Sequence, residues 1–312
     1  MIGENFDFYS PSNINLKDLD PQLQASLSVM QKLDRPIYEH SVNVANLCTR
    51  VCQYMHCNNQ FTIHCMLAGY IHDIGKIFIP KEILEKGDAL TSSEFEIMKT
   101  HTTLGYEYCM KDLILRPYSD GPWYHHESLD GSGYPRGLKK NDIPYSAQII
   151  RVCDEYDALV TKRHYTTHVN ISETLQEMIK DVEPTQSLVA LDQLRQHQKM
   201  GKISSKPLKA LFKAVIDDTL YEISCVLNYV NYLQSQIKRL QTIEKYNSKR
   251  QTAKRPEQRD YYQTGMQMLL QPGETLENYR QIMLEYSDAL VLRKKRIADL
   301  YKEIKIIKKL RF

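Results

Sequence analysis

The spacing of apolar residues restricts this 312-residue chain to helices along almost its whole length. In nearly every patterned segment the apolar residues recur every three or four positions, and sustained alternation with a period of two is rare. Segment 39–55 is an example, because His40, Val44, Cys48 and Val51 fall on one helical stripe. The pattern therefore predicts an all-α fold in which His40 faces the interior.

Three further predicted helices carry polar side chains on inward faces. His72 shares the apolar side of segment 61–75, for which Gly75 is the expected C-terminal stop. His101 faces inward on a helix that begins with a predicted capping box at residues 91–94, and Asp154 lies on a largely apolar helix side. Burial of an imidazole or carboxylate is unfavourable without a partner, so these side chains are expected to meet other polar groups.

The C-terminal third has a different character. Residues 223–240 and 290–307 carry apolar side chains at alternating three- and four-residue steps, which predicts a coiled-coil-like helical extension. In one interpretation, the two helices either fold back on each other or pair with a second subunit or another protein. In the alternative interpretation, the basic C-terminal ending contacts acidic partners or membrane headgroups. The predicted organisation is an N-terminal extension (1–22), a helical domain (23–216) and a helical extension (217–312).

Composition narrows the function classes. A net charge of +3 is too small to indicate nucleic-acid binding, and we expect no nucleic-acid partner. No stretch approaches the roughly 20 apolar residues of a membrane span, so a cytoplasmic protein without a transmembrane segment is expected. The seven cysteines are odd in number and form no CxxC pair, which favours reduced, buried residues over a disulfide framework or a zinc site.

Five histidines and two aspartates occupy inward-facing or motif positions, and together they predict a metal centre. So many buried polar groups satisfy one another most easily around shared cations. Mixed imidazole and carboxylate ligands suit iron, manganese, zinc or nickel, and this number of ligands fits two metals better than one. Two-metal sites of this kind suit the hydrolysis of phosphate esters. The seven residues are His40, His72, Asp73, His101, His125, His126 and Asp154.

Three strings carry most of these residues: HDIGK (72–76), HHESLDGSGYPRGLKKNDIP (125–144) and DEYDAL (154–159), with His101 between the first two. They resemble the signature of the HD-GYP family of metal-dependent phosphodiesterases, and the similarity extends over residues 38–166, about half of the chain. The resemblance implies an HD-type helical bundle, a centre of two or three metals, and hydrolysis of cyclic di-GMP to pGpG or GMP by a hydroxide that bridges the metals.

The resemblance also implies roles for individual residues. The seven residues above would be the metal ligands, with Asp73 bridging the metals and acting in catalysis together with Lys76. Lys76 and Arg163 would contact substrate phosphate. Tyr134 would either hydrogen-bond the substrate or fill space beside it.

Two departures from the family pattern refine these expectations. Members with three metals carry a glutamate four residues before the first histidine ligand, where this chain has Pro36, and Glu39 lies on a different helical bearing. Two divalent ions, iron or manganese, are therefore expected. Thr166 lies three residues after Arg163, where members of the family often carry a basic residue. Its presence leaves two alternatives open. The chain could be a slow or inactive receptor for cyclic di-GMP, or a phosphodiesterase for cyclic GMP-AMP.

Overall fold

A computed structural model describes residues 21–164, 171–182 and 201–310, so most of the predicted N-terminal extension (1–22) lies outside the described residues. Within these ranges the chain is helical, and extended pairing is confined to two isolated bridges. The prediction of an all-α fold is confirmed. None of the described helices combines the length and apolar character that a membrane crossing requires.

The described residues form two compact units. The first comprises those within Met1–Asp218 together with those within Ile306–Phe312, and the second is Thr219–Lys305. The helices, in chain order, are α1 (Pro21–Leu27), α2 (Arg35–Tyr54), α3 (Asn59–Tyr70), α4 (Lys81–Leu84), α5 (Ser92–Lys111), α6 (Asp120–Tyr124), α7 (Tyr145–His164), α8 (Ile171–Lys180), α9 (Ser205–Thr252), α10 (Pro256–Leu269) and α11 (Tyr279–Ile307), with short 3₁₀ turns at Ser28–Lys32, Ile74–Phe78, Arg116–Tyr118 and Lys140–Asp142.

Local sequence explains where the helices of the first unit begin. The Asn58 side chain accepts the backbone N–H of Phe61 and caps α3. Thr91 and Glu94 form the reciprocal capping box of α5, as predicted. These caps satisfy amide groups that the first turn of a helix leaves without partners.

The main core of the first unit lies between α2, α3, α7, α8 and the first part of α9. The predicted stripe of α2 is buried here, since Val44, Cys48 and Val51 have no exposed surface. All seven cysteines are free, and five of them are buried, which agrees with the prediction of reduced residues. Burial of this stripe orients α2 so that His40 faces α7, where the His40 ring contacts Asp154.

In the second unit, α9 and α11 run antiparallel to each other. Charged and aromatic side chains connect the two helices at three points. The residue numbers of these contacts increase along α9 and decrease along α11, which is the arrangement of a helical hairpin. Of the predicted alternatives, the fold-back within one chain is present here, and pairing with a second subunit or another protein stays a prediction. The connections are Glu222–Arg296 (2.8 Å), Tyr229–Arg293 (5.6 Å from ring centroid to guanidinium carbon) and Glu244–Arg280 (3.1 Å).

The segment around His72 differs from its predicted form. The helix predicted over 61–75 ends at Tyr70, and a turn and a 3₁₀ helix follow. Gly75 therefore does not terminate α3. A side chain at this position would overlap the backbone of His101, so Gly75 permits the close approach of two backbone segments.

Candidate metal centre

The seven predicted ligand residues come from five separate regions of the first unit. His40 belongs to α2, His101 to α5 and Asp154 to α7. His72 and Asp73 lie in the turn after α3, and His125 and His126 directly follow α6. Despite a separation of more than 100 positions in sequence, their polar atoms converge. Three sets of ligand atoms each lie within 4.8 Å of one another: His101, His125 and His126; His40, His72 and Asp73; and His72, His125 and Asp154.

Three of the imidazoles face the same buried carboxylate. The Nε2 atoms of His72, His101 and His125 lie 3.4, 3.5 and 3.8 Å from the carboxylate oxygens of Asp73. Each of these rings donates its Nδ1–H to a main-chain carbonyl, which fixes the tautomer and leaves the Nε2 lone pair directed inward. The three acceptors are the carbonyl oxygens of Gly69, Met98 and Gly121, at 2.6, 2.6 and 2.9 Å.

This arrangement leaves buried polar atoms that lack protein partners. The Nε2 of His72 and the Oδ1 of Asp73 make no hydrogen bond to any described residue. The Nε2 atoms of His101 and His125 lie 3.2 Å apart, although both are acceptors in the tautomers fixed by the backbone. Inward-directed lone pairs and a carboxylate oxygen without a donor are what a cation site requires, so the residues fit a metal centre.

The electrostatics of the site agree with that fit. Burial lowers the pKa of His101, lowers that of His125 well below its usual range, and brings the pKa of His126 to about 3. Burial opposes ionisation of Asp73, but the ammonium of Lys76 and the imidazole of His72 hold the pKa of this carboxyl well below its usual range. His101, His125 and His126 are therefore neutral and Asp73 is ionised, which are the protonation states that bind metals.

His40 lies between two carboxylates. Its Nε2 is 3.0 Å from Asp154 and its Nδ1 is 2.7 Å from Asp157. Burial disfavours the charged ring, but hydrogen bonds with Asp154 and Asp157 raise the pKa of His40 to about 10. In the metal-free protein the imidazolium compensates the two negative charges, and a cation at Nε2 would replace the proton there.

Asp157 is a site residue that was not predicted from the sequence. It is buried, and its contact with the Nδ1 of His40 leaves Nε2 directed toward Asp154 and Asp73. A carboxylate behind a histidine ligand orients the ring and increases its basicity. The available signal was its position three residues after Asp154, which places both on one face of α7.

Replacing Asp157 with asparagine is expected to weaken Mn²⁺ binding by roughly 10- to 100-fold, because a neutral amide holds the His40 ring less firmly. Competition with a fluorescent chelator gives the dissociation constant. The exposed Asp142, replaced in the same way, serves as the control. Equal Mn²⁺ affinity in wild type and Asp157→Asn would mean that Asp157 has no part in the centre.

The loop that carries Tyr134 is held by its own carboxylates. Glu127 is buried and accepts the backbone N–H groups of Arg136 and Leu138 at 2.7 and 2.8 Å. Asp130 accepts the backbone N–H of Ser132. These contacts fix the chain directly after the His125–His126 pair.

A cavity of about 560 Å³ opens beside the candidate ligands. Lys76 lies in its wall, with its ammonium 2.6 Å from the carboxylate of Asp73. The Tyr134 ring stacks on His126 at 4.6 Å between centroids, and burial raises the pKa of its hydroxyl. The side chain of Arg163 and the whole of Thr166 lie outside the described residues. Residues lining the cavity are Pro36, Ile37, His40, Asp73, Lys76, His126, Arg151, Asp154, Glu155, Ala158 and Asp181.

Comparison with known proteins agrees with this helical fold and its His/Asp centre. A family profile described as "HD domain" matches residues 23–184. The chain is 40% identical over 147 residues to a cyclic di-GMP phosphodiesterase of Thermotoga maritima, covering 46% of this chain and 40% of the relative. It is 30% identical over 200 residues to the cyclic di-GMP phosphodiesterase PdeB of Borreliella burgdorferi, covering 62% and 51%. It is also 34% identical over 147 residues to the 3'3'-cGAMP-specific phosphodiesterase 1 of Vibrio cholerae, covering 46% and 34%.

The helical fold and the clustered histidines and aspartates define a protein of the HD type. The chain belongs to the HD domain family, and it is a member of the HD-GYP group within that family. It spans about half or less of the length of these curated relatives.

Proposed function

We propose that this chain is a metal-dependent phosphodiesterase that hydrolyses cyclic di-GMP to pGpG, GMP or both. The observation that carries the proposal is the convergence of the Nε2 atoms of His72, His101 and His125 on the buried carboxylate of Asp73. The names of the similar Thermotoga and Borreliella proteins support cyclic di-GMP as the substrate.

The proposed cofactors are two divalent ions, with iron or manganese best suited to the mixed ligands. When bound, such a pair supplies a nucleophile near neutral pH and neutralises charge on the phosphoryl group. The protein holds the ligand rings through backbone carbonyls and buries Asp73 among them. The proposed ligands are His40, His72, Asp73, His101, His125, His126 and Asp154, with Asp73 as the bridge.

Lys76 is the proposed phosphate contact at this centre. Its ammonium lies in the cavity wall beside Asp73, so it can stabilise negative charge that develops on a phosphoryl oxygen. Replacing Lys76 with methionine is expected to lower kcat by roughly 100- to 1,000-fold while the bound metal is retained. Steady-state kinetics and metal analysis of the same preparation measure both quantities, with the exposed Lys81→Met variant as control. An unchanged kcat would remove Lys76 from the reaction.

A turnover assay tests the proposed function. Protein purified without oxygen and loaded with Fe²⁺ or Mn²⁺ is incubated with excess cyclic di-GMP, and products are separated by chromatography. We expect many molecules of pGpG or GMP per protein molecule, and no turnover after metal removal with a chelator. Binding of cyclic di-GMP without product would instead indicate a receptor.

Cyclic GMP-AMP is the second candidate substrate. It is supported by the 34% identity to the Vibrio cholerae enzyme named for that dinucleotide. Parallel assays with both dinucleotides give the ratio of kcat/KM. A ratio above one for cyclic di-GMP supports the first candidate, and a ratio below one supports the second.

We also propose a division of labour along the chain. Residues 23–216 would form the catalytic domain, with Tyr134 beside the centre and Arg163 as a further phosphate contact. Residues 217–312 would contact a second copy of the chain or another protein, because Leu284, Val291 and Leu292 are more than half exposed on the hairpin helix α11. Light scattering of the wild-type chain and of a Val291→Glu/Leu292→Glu variant tests the second assignment.

A further inference from the structure

One wall of the cavity contains charged groups that the proposed chemistry does not use. Arg151, Glu155 and Ala158 line the cavity from the same face of α7 as Asp154, since these positions are spaced by three or four residues. A ligand held at the candidate centre would therefore extend along this face. None of these three residues is among the predicted ligands.

Arg151 presents an unused hydrogen-bond donor. Its Nε is buried and has no hydrogen-bond partner among the described residues. The nearest carboxylate oxygen, Oε2 of Glu155, is 3.6 Å away, which is too long for a hydrogen bond. A buried donor without a partner is costly, so a ligand that supplies an acceptor here gains free energy on binding.

The neighbouring carboxylate decides which ligand fits. Glu155 places an acceptor directly beside the Arg151 donor, and its negative charge disfavours a phosphate at the same position. Asp181, which also lines the cavity, is already paired with Lys202 at 3.1 Å. Arg151 and Glu155 together therefore match an uncharged part of a ligand in which a hydrogen-bond acceptor lies next to a hydrogen-bond donor.

We propose that Arg151 and Glu155 form a subsite for the guanine base, an inference that rests on the proposed function. Guanine presents O6 and N7 as acceptors and N1–H and the N2 amino group as donors, so arginine and a carboxylate can bind it side by side. Adenine placed in the same orientation has an amino group in place of O6, which would oppose the arginine, and its N1 is an acceptor that would oppose the carboxylate. The apolar side chains of Pro36, Ile37 and Ala158 line the same cavity and can cover the faces of a base.

The test uses the metal-loaded full chain and the probes GMP and AMP, with affinities measured by calorimetry. Wild type is expected to bind GMP at least tenfold more tightly than AMP. Arg151→Met and Arg151→Lys are each expected to reduce that preference to about threefold or less, because lysine keeps the charge but loses the planar fork. Glu155→Gln is expected to reduce the preference in the same direction. Arg116→Met, at an exposed site outside the cavity lining, should match wild type.

Several results would overturn the subsite. These are equal binding of GMP and AMP by wild type, no measurable binding of GMP at millimolar concentration, and an equal loss of both affinities in Arg151→Met, which would indicate a phosphate contact. Recovery of the preference by Arg151→Lys would likewise mean that charge alone acts there. The proposed function fails separately: a wild type that prefers GMP but never turns over cyclic di-GMP refutes the hydrolase and leaves the subsite intact.

Discussion

Replacing Asp73 with asparagine is expected to abolish turnover of cyclic di-GMP and to reduce the bound metal from about two ions per chain to at most one. The carboxylate lies within 3.9 Å of the Nε2 atoms of His40, His72, His101 and His125, so these four imidazoles lose their common anion. Loss of charge stabilisation by several kcal/mol corresponds to a rate reduction of roughly 1,000-fold or more. Elemental analysis after anaerobic loading and a product assay measure the two effects.

The control for this prediction is Asp88→Asn, an exposed position outside the cavity lining, which should keep the metal content and rate of wild type. Circular dichroism of both variants distinguishes loss of the centre from loss of the fold. Mn²⁺ should also raise the melting temperature of wild type and of Asp88→Asn by more than that of Asp73→Asn, because each ion that binds only the folded state stabilises it. A folded Asp73→Asn protein with two tightly bound ions would contradict the assignment of Asp73 as the bridge.

The inward positions of His40, His101 and Asp154 could be predicted because each lies within a regular helix. The period of 3.6 residues assigns such residues to the apolar face, and the neighbouring core fixes that face toward the interior. The same reasoning was wrong for the backbone at His72 and Asp73. These residues follow the end of α3 at Tyr70, so a turn, and not the helix predicted over 61–75, directs His72 and Asp73 into the site.

Other parts of the site depend on contacts between distant segments and could not be read from local pattern. Asp157 acquires its role from His40, which lies 117 residues earlier. Arg151 and Glu155 look like an ordinary ion pair on a helix surface, with the spacing of many solvated pairs. Their position in a cavity wall follows only from the packing of α7 against α2 and α3, which one segment of sequence does not specify.

Gly75→Ala is expected to destabilise the first unit by about 3 kcal/mol and to weaken Mn²⁺ binding at least tenfold. The added methyl group would overlap the carbonyl oxygen of His101 and lie 2.7 Å from the backbone nitrogen of Gly105, so relief requires movement of α5 itself. That movement displaces His101, whereas the same substitution at Gly87 meets nothing within 4 Å and should change stability by no more than about 0.5 kcal/mol. Urea unfolding in the presence of a chelator measures the packing effect alone, and repetition with Mn²⁺ adds the loss of binding. Coincident unfolding curves for Gly75→Ala and wild type would mean that the backbone of the HDIGK segment can yield without cost, and that Gly75 does not set the position of His101.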